Sequence, residues 1–277
     1  MTGLRIATMA AMLTLGAAAT SFAQTAPTLT GVAVEGTRFK VTLSDGRTLT
    51  SNQLVGATLT LAMGGGTARV RIDAIERDPE DRTANQPDAD VTWLHTLSVQ
   101  QADGSWGPLC MAGPDGRKQG FPVAGVVTPD GRLAAAPPDR FEITCTSGAQ
   151  GKCIRFGYKP WQTAADGRPM RDAYNACMRM VRGDYGGDGK AYTLDGQSID
   201  IFDHMGVQKA DMDAAQDFEA GWTPDGAVCV RHVRVKQNTS LDKLEAMYPR
   251  LKGRTGDVCT EAFARANGAV IFNRSKP

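Results

Sequence analysis

Histidine is scarce in this 277-residue chain: there are three, His95, His204 and His232. They lie too far apart to share a helical face, and the chain has no His-Glu-x-x-His pattern, so zinc hydrolysis has no ligand set. Cys-x-x-Cys is also absent, which argues against a zinc ribbon or a thioredoxin-type redox motif. A serine hydrolase would show a nucleophile turn of the form Gly-x-Ser-x-Gly. The nearest string, "GQSID" around Ser198, lacks the closing glycine. Nor does one sign of charge prevail, with 31 basic against 30 acidic side chains. That balance argues against a nucleic-acid partner, which requires a basic face, and against a polybasic membrane anchor. Beyond the first residues no window is apolar enough to span a bilayer. There is no internal repeat and no low-complexity tract.

What is present begins with a leader. "MTGLRIATMAAMLTLGAAATSFAQ" has one cation, Arg5, then an uncharged apolar run from Ile6 to Ala19. It ends in Ser21-Phe22-Ala23, with small residues where a signal peptidase reads. The pattern predicts a signal peptide over 1–23, cleaved after Ala23, and an exported protein, periplasmic or extracellular, with no membrane span after cleavage. All six cysteines follow: Cys110, Cys145, Cys153, Cys177, Cys229 and Cys259. An even count in an exported chain predicts disulfides, though sequence alone does not choose the pairs. Cys145 and Cys153 are expected on neighbouring strands around "TSGAQGK".

Periodicity predicts an α+β, β-rich fold: N-terminal antiparallel β-hairpins over 24–139, then a disulfide-stapled α+β part over 140–277 with a few short helices. "TRFKVTLSDGRTLT" alternates on both sides of Asp45-Gly46, a hairpin pattern. "ATLTLAM" and "ARVRIDAI" flank "GGGT" as a second hairpin, and "DPEDRTANQPDAD" reads as a polar loop. Eight Asp-Gly pairs mark turns, since both residues tolerate left-handed backbone. "TPDGRLAAAPPD", 128–139, is the internal boundary. "RFEITC" and "KCIRFGYKPW" are predicted as strands, with helices only beyond residue 170. In "RDAYNACMRMVR", Tyr174, Cys177, Met178 and Val181 form an apolar face, and Arg171, Asn175, Arg179 and Arg182 an exposed one. A second helix starts at the N-cap Ser240. A third falls in "DVCTEAFARAN", before a final strand in "AVIFN".

The acids of "GDYGGDGKAYTLDGQSIDIFD" carry the chemistry. Asp184, Asp188, Gly189 and Asp195 fall at the first, fifth, sixth and twelfth positions of a calcium loop. The third position is Gly186, without a side-chain oxygen, and the twelfth is Asp instead of Glu. If "SIDIF" is a strand, Ser198, Asp200 and Phe202 share one face, and Asp200 points outward. With Asp203, these carboxylates form either a solvated surface or a cluster that binds a cation or acts as acid and base. Arg179 and Arg182 either grip an anion or cover a solvated helix face near its C-terminus. Tyr158, Trp161 and Trp222 either stack on a ligand or fill a core.

Three strings in order, "KCIRFGYKPW", "YNACMRMVRGDYGGDGKAYTLDGQSIDIFD" and "FEAGWTPDGAVCVRH", resemble the ADYC-domain family of exported bacterial proteins, over about Cys110 to Cys259. The family is named for Ala-Asp-Tyr-Cys followed by Gly-Asp-Gly. Asp184, Tyr185, Gly187, Asp188 and Gly189 match, whereas Gly183 and Gly186 replace the naming Ala and Cys. The family pattern puts one cysteine at the position of Gly186 and another before the proline that is here Pro249, where this chain has Tyr248. The resemblance implies a disulfide in relatives that this chain has lost. It implies an exported, stapled fold and no particular activity. Two functional readings remain. One is a non-catalytic binding or envelope-associated module, without cofactor, whose partner is an envelope protein or a ligand. The other is a hydrolase or lyase using Asp184, Asp188, Asp200 and Asp203, with calcium as its optional cation. Ligand-binding candidates are Arg179, Arg182, Asp184, Tyr185, Asp188, Asp195, Asp200 and Asp203; metal candidates are Asp184, Asp188 and Asp195.

Overall fold

The computed structural model describes residues 27–63, 65–81, 90–211, 213 and 215–277. The predicted signal peptide and most of the 78–90 loop lie outside the described residues.

Alternating side chains build the N-terminal part as two sheets with apolar faces together. β1 (Leu29–Glu35), β2 (Arg38–Leu43) and β3 (Thr48–Thr50) form a three-stranded antiparallel sheet. In β2, Phe39 and Val41 are buried while Lys40 and Thr42 are exposed. Asp45-Gly46 closes β2 onto β3, with Gly46 at φ 83° and the Leu43 N–H donating to the Arg47 carbonyl at 2.9 Å. Like Gly46, the glycine of every other Asp-Gly pair has positive φ. β4 (Thr58–Met63), β5 (Gly66–Arg77), β6 (Trp93–Gln100), β7 (Trp106–Pro108) and β8 (Gln119–Ala124) belong to the larger sheet. β9 (Val126–Val127) and β10 (Leu133–Ala134) pair with each other. β11 (Phe141–Cys145) returns to the larger sheet, whose order is β11-β8-β6-β5-β4, with β7 against β6. Phe39 and Val41 meet Leu59, Leu61, Val70, Ile72 and Leu97 in the core between the sheets.

The C-terminal part is a separate four-stranded antiparallel sheet between helices. α1 (Ala149–Arg155) and α2 (Met170–Arg182) precede β12 (Ile199–Asp203), β13 (Asp217–Thr223) and β14 (Gly226–Val230). α3 (Leu241–Met247), α4 (Glu261–Ala266) and β15 (Ile271–Ser275) follow. The strand order is β12-β15-β13-β14, so β12 is an edge. α2 packs on one face, where Tyr174, Cys177 and Met178 join Ile201, Trp222 and Ile271. α4 covers the other, with Ala264 beside Phe272 and Phe202. Its approach is close: a Cβ at Gly221 would stand 2.4 Å from that of Ala264. Ser240 and Thr260 cap α3 and α4 by accepting the Lys243 and Phe263 N–H groups, which meets the unpaired donors of a first turn.

All six cysteines are paired: Cys110–Cys145, Cys153–Cys177 and Cys229–Cys259. Two local expectations are corrected. "KCIRFGYKPW" does not open as a strand, because α1 runs through Cys153 to Arg155. Short apolar runs fit either period, and here Cys153 and Ile154 are buried while Cys153 is bridged to α2. Cys145 therefore ends a strand while Cys153 sits on a helix, and each bonds elsewhere. The second correction concerns α2, which is buried on both faces. Asn175 accepts the Leu133 N–H at 2.9 Å, and Arg179 is 2% exposed. The 128–134 connection covers the face that charge alone assigns to solvent.

Candidate functional site

The signature loop leaves α2 through Gly183, which has left-handed backbone at φ 61° and hydrogen-bonds back to the Arg179 and Met180 carbonyls, the usual helix stop. Asp184 follows with no exposed surface. Its Oδ1 accepts the Gly187 N–H at 2.8 Å; its Oδ2 accepts the Gly189 N–H at 2.9 Å and Arg179 Nη1 at 2.6 Å. Arg179 extends the tie, donating from Nε to the Pro224 carbonyl at 2.9 Å and from Nη2 to Asp130 Oδ2 at 3.1 Å. One guanidinium thus joins three loops. Gly187 allows the turn to close, since at φ 75° any Cβ would stand 1.9 Å from the Asp225 carbonyl oxygen.

Tyr185 points into the core, stacked on Trp222 with ring centroids 5.3 Å apart. Its hydroxyl donates to Glu219 Oε1 at 2.9 Å and accepts the Arg234 N–H at 3.2 Å. Glu219 and Arg234 are both wholly buried and are bonded through Nε at 2.9 and 3.1 Å and Nη2 at 2.7 Å. Asn273 donates to Glu219 Oε2 at 2.7 Å and accepts Trp222 Nε1 at 2.8 Å. Burial alone would raise the Glu219 carboxyl, but the Arg234 charge and hydrogen bonds hold it below its usual value. Burial and the Glu219 charge push the Tyr185 hydroxyl up. Sequence reasoning missed Glu219, Arg234 and Asn273. Their partners are distant along the chain, and a register shift between Phe218 and Ala220 re-aims Glu219, as bulges do.

The position of the naming cysteine is filled by an aromatic ring. A Cβ at Gly186 would lie 2.2 Å from Cε1 of Tyr248. The Tyr248 hydroxyl donates to Asp188 Oδ2 at 3.0 Å and lies 3.1 Å from that of Tyr192. The double variant Gly186→Cys, Tyr248→Cys is expected to form a fourth disulfide, detected by non-reducing peptide mapping; two free thiols would end the idea of a lost bridge.

Of the remaining candidates, Arg182 braces this loop, whereas Asp195, Asp200 and Asp203 lie in other segments. Asp195 is exposed in its own turn. Among the described residues no three His, Cys, Asp or Glu side chains gather as a metal-ligand group, so Asp184, Asp188 and Asp195 do not converge. Arg182 donates to the Gly189 carbonyl. Asp203 accepts Tyr158 Oη at 2.8 Å and the N–H groups of Met205, Val207 and Gln208 at 2.6, 3.2 and 2.8 Å, fixing the turn after β12. Tyr158 and Trp222 are fully buried, with Trp161 packed against the same core. Asp200 shares a face with Phe202 as its alternation requires, but the outward exposure is corrected: it is 3% exposed. The segment after β12 folds over it, and the Asp211 N–H donates to its Oδ1 at 3.0 Å. Burial, with Asp211 and Asp213 nearby, raises its carboxyl above the usual range, against the opposing amide of Asp211 and charge of Arg274. Asp200 also lines a cavity of about 860 Å³ at the β12 edge, bordered by Phe156, Val207 and Lys209.

A family model described as the ADYC domain matches residues 51–236. It begins upstream of the quoted motifs, within the N-terminal strands. None of the curated proteins and none of the solved structures matches the chain.

Proposed function

The chain belongs to the ADYC-domain family, and from that membership and the wiring of its signature residues we propose that it is an exported binding module, not an enzyme. The observation that carries this reading is the engagement of the acids. Asp184 is taken up by Arg179 and two amides, Asp188 by Tyr248, and Asp203 by Tyr158 and three amides. Acid–base work by paired carboxylates needs two of them free to meet one substrate. Of the four acids in the hydrolase reading, Asp200 alone keeps an oxygen with no partner among the described residues. Three disulfides and the N-terminal leader support an oxidising, extracytoplasmic setting.

Cell fractionation is expected to recover the protein outside the cytoplasm, with Gln24 as its first residue by N-terminal sequencing; an intact Met1 leader on a cytoplasmic protein would overturn export. Thermal melts against a panel of amines, sugars, peptides and organic acids, followed by NMR of the hits, are expected to give ligands that stabilise the protein and are recovered unchanged. Chemical turnover of a hit would overturn the non-catalytic reading. Calcium belongs in the same panel: a rise in melting temperature at millimolar metal would return the Asp184 loop to the metal reading.

A further inference from the structure

Asp200 is the buried acid that the fold leaves incomplete. Its Oδ2 is shielded from solvent and has no hydrogen-bond partner among the described residues. Arg274, its cross-strand neighbour on β15, makes neither a hydrogen bond nor an ion pair with it and lies 5.8 Å over the Phe202 ring instead. A buried carboxylate oxygen with no donor is costly, and proteins seldom keep one without a use. Here it sits on an edge strand beside the 860 Å³ cavity.

The walls of that cavity define the chemistry. Phe156, Met170, Ile199, Ile201 and Val207 supply an apolar surface. Glu80, Asp81, Asp200 and Asp211 supply negative charge, against Arg155 and Lys209. The Arg155 guanidinium is already spent on Asp78, Glu80 and Asp115, so it does not offer an anion site. Asp81 is committed to Lys159. Among the described residues lining the cavity, the charge left without an ion pair is therefore that of Asp200 and Asp211, set against the single remaining cation, Lys209.

Resting on the binding-module reading, we propose that this cavity takes an organic cation: a primary ammonium that donates to Asp200, carried on an apolar body that lies along Phe156, Ile199, Ile201 and Val207. One buried carboxylate oxygen without a donor, on an apolar wall, suits a single ammonium, whereas a divalent metal needs several oxygens. The segment from Lys209 to Asp211 borders the cavity and is tied to β12 through the Asp211 amide. Its displacement opens Oδ2 to the ligand.

The test is calorimetric titration of the protein with n-hexylamine, with n-hexanol and hexanoate as uncharged and anionic counterparts. The amine is expected to bind, and the alcohol and acid to bind at least about tenfold more weakly. Asp200→Asn is expected to lower amine affinity by about tenfold or more without lowering the melting temperature of the free protein. Asn keeps an acceptor for the Asp211 N–H and removes the buried charge, so lost binding is not lost folding. Asp195→Asn, an exposed acid outside the cavity, leaves amine affinity unchanged. Equal affinity in the parent and Asp200→Asn, or no amine binding, overturns the proposal. If another panel ligand binds while amines do not, this inference falls and the binding-module reading stands. If an amine binds through Asp200 and is consumed, the site stands and the non-catalytic reading falls.

Discussion

Arg234→Met lowers the unfolding free energy by about 3–5 kcal/mol, the cost of leaving a buried charge without its partner. Glu219 would then stand in the core with Tyr185 and Asn273 as donors but no countercharge. A carboxylate cannot recover water in a site with no exposed surface, so it must take up a proton or unfold its surroundings. Glu219→Gln in the same background removes the charge and keeps an acceptor for Tyr185. The double variant is expected to be more stable than Arg234→Met alone. Urea denaturation of the four members of the cycle measures the coupling. If Arg234→Met matches the parent within about 0.5 kcal/mol, as a neutral surface change would, the pair is not the core element described above.

Acid is expected to destabilise the protein through one histidine. His95 is fully buried on β6, edge-on to Phe39 with centroids 5.4 Å apart, and neither ring nitrogen makes a hydrogen bond among the described residues. Burial lowers its pKa from 6.5 to about 4, with the neighbouring Trp93 and Gly120 backbones opposing. In the unfolded chain it takes up a proton near pH 6.5; in the folded chain it resists until near pH 4. Stability is therefore unaffected by this group above pH 6.5 and falls as pH drops to about 4. The full loss is about 3 kcal/mol. Asp200 works the other way, because its raised carboxyl favours the folded state as it protonates, so the variant comparison isolates the histidine. His95→Leu should flatten the fall between pH 6.5 and 5 and remove two unsatisfied polar atoms. Denaturant melts of both proteins across that range decide it; parallel curves would show that His95 does not titrate with folding.

The hairpins, the Asp-Gly turns and the Ser240 start of α3 were legible because their causes are local. Alternation, left-handed backbone and capping act within a few residues. The resemblance likewise placed Gly186 and Tyr248 together. Five charged groups, Arg179, Asp184, Asp200, Glu219 and Arg234, were not legible, since charge reads as solvent exposure unless the partner is known. Arg179 is covered by Asp130 and Pro224, Glu219 by Arg234 and Asn273, and Asp200 by the segment at Asp211. Asp184 alone has its partners nearby, and its loop fits the spacing of a cation site as well as that of an arginine clamp. α1 was misread because four residues, Cys153 to Phe156, do not distinguish a strand from a helix. The cysteine pairs, too, are selected by packing between elements, which no spacing encodes.

That connectivity bears on how the chain is made. The first cysteine bonds to the second, the third to the fourth and the fifth to the sixth, so no loop encloses or crosses another. An oxidase acting on thiols in the order of their emergence during synthesis would join each cysteine to the next and reach the native set directly. Slow reshuffling of wrong pairs, which can take hours, is then unnecessary. Biogenesis can depend on oxidation alone, with the thiols themselves arranged as a sequence of instructions read from one end.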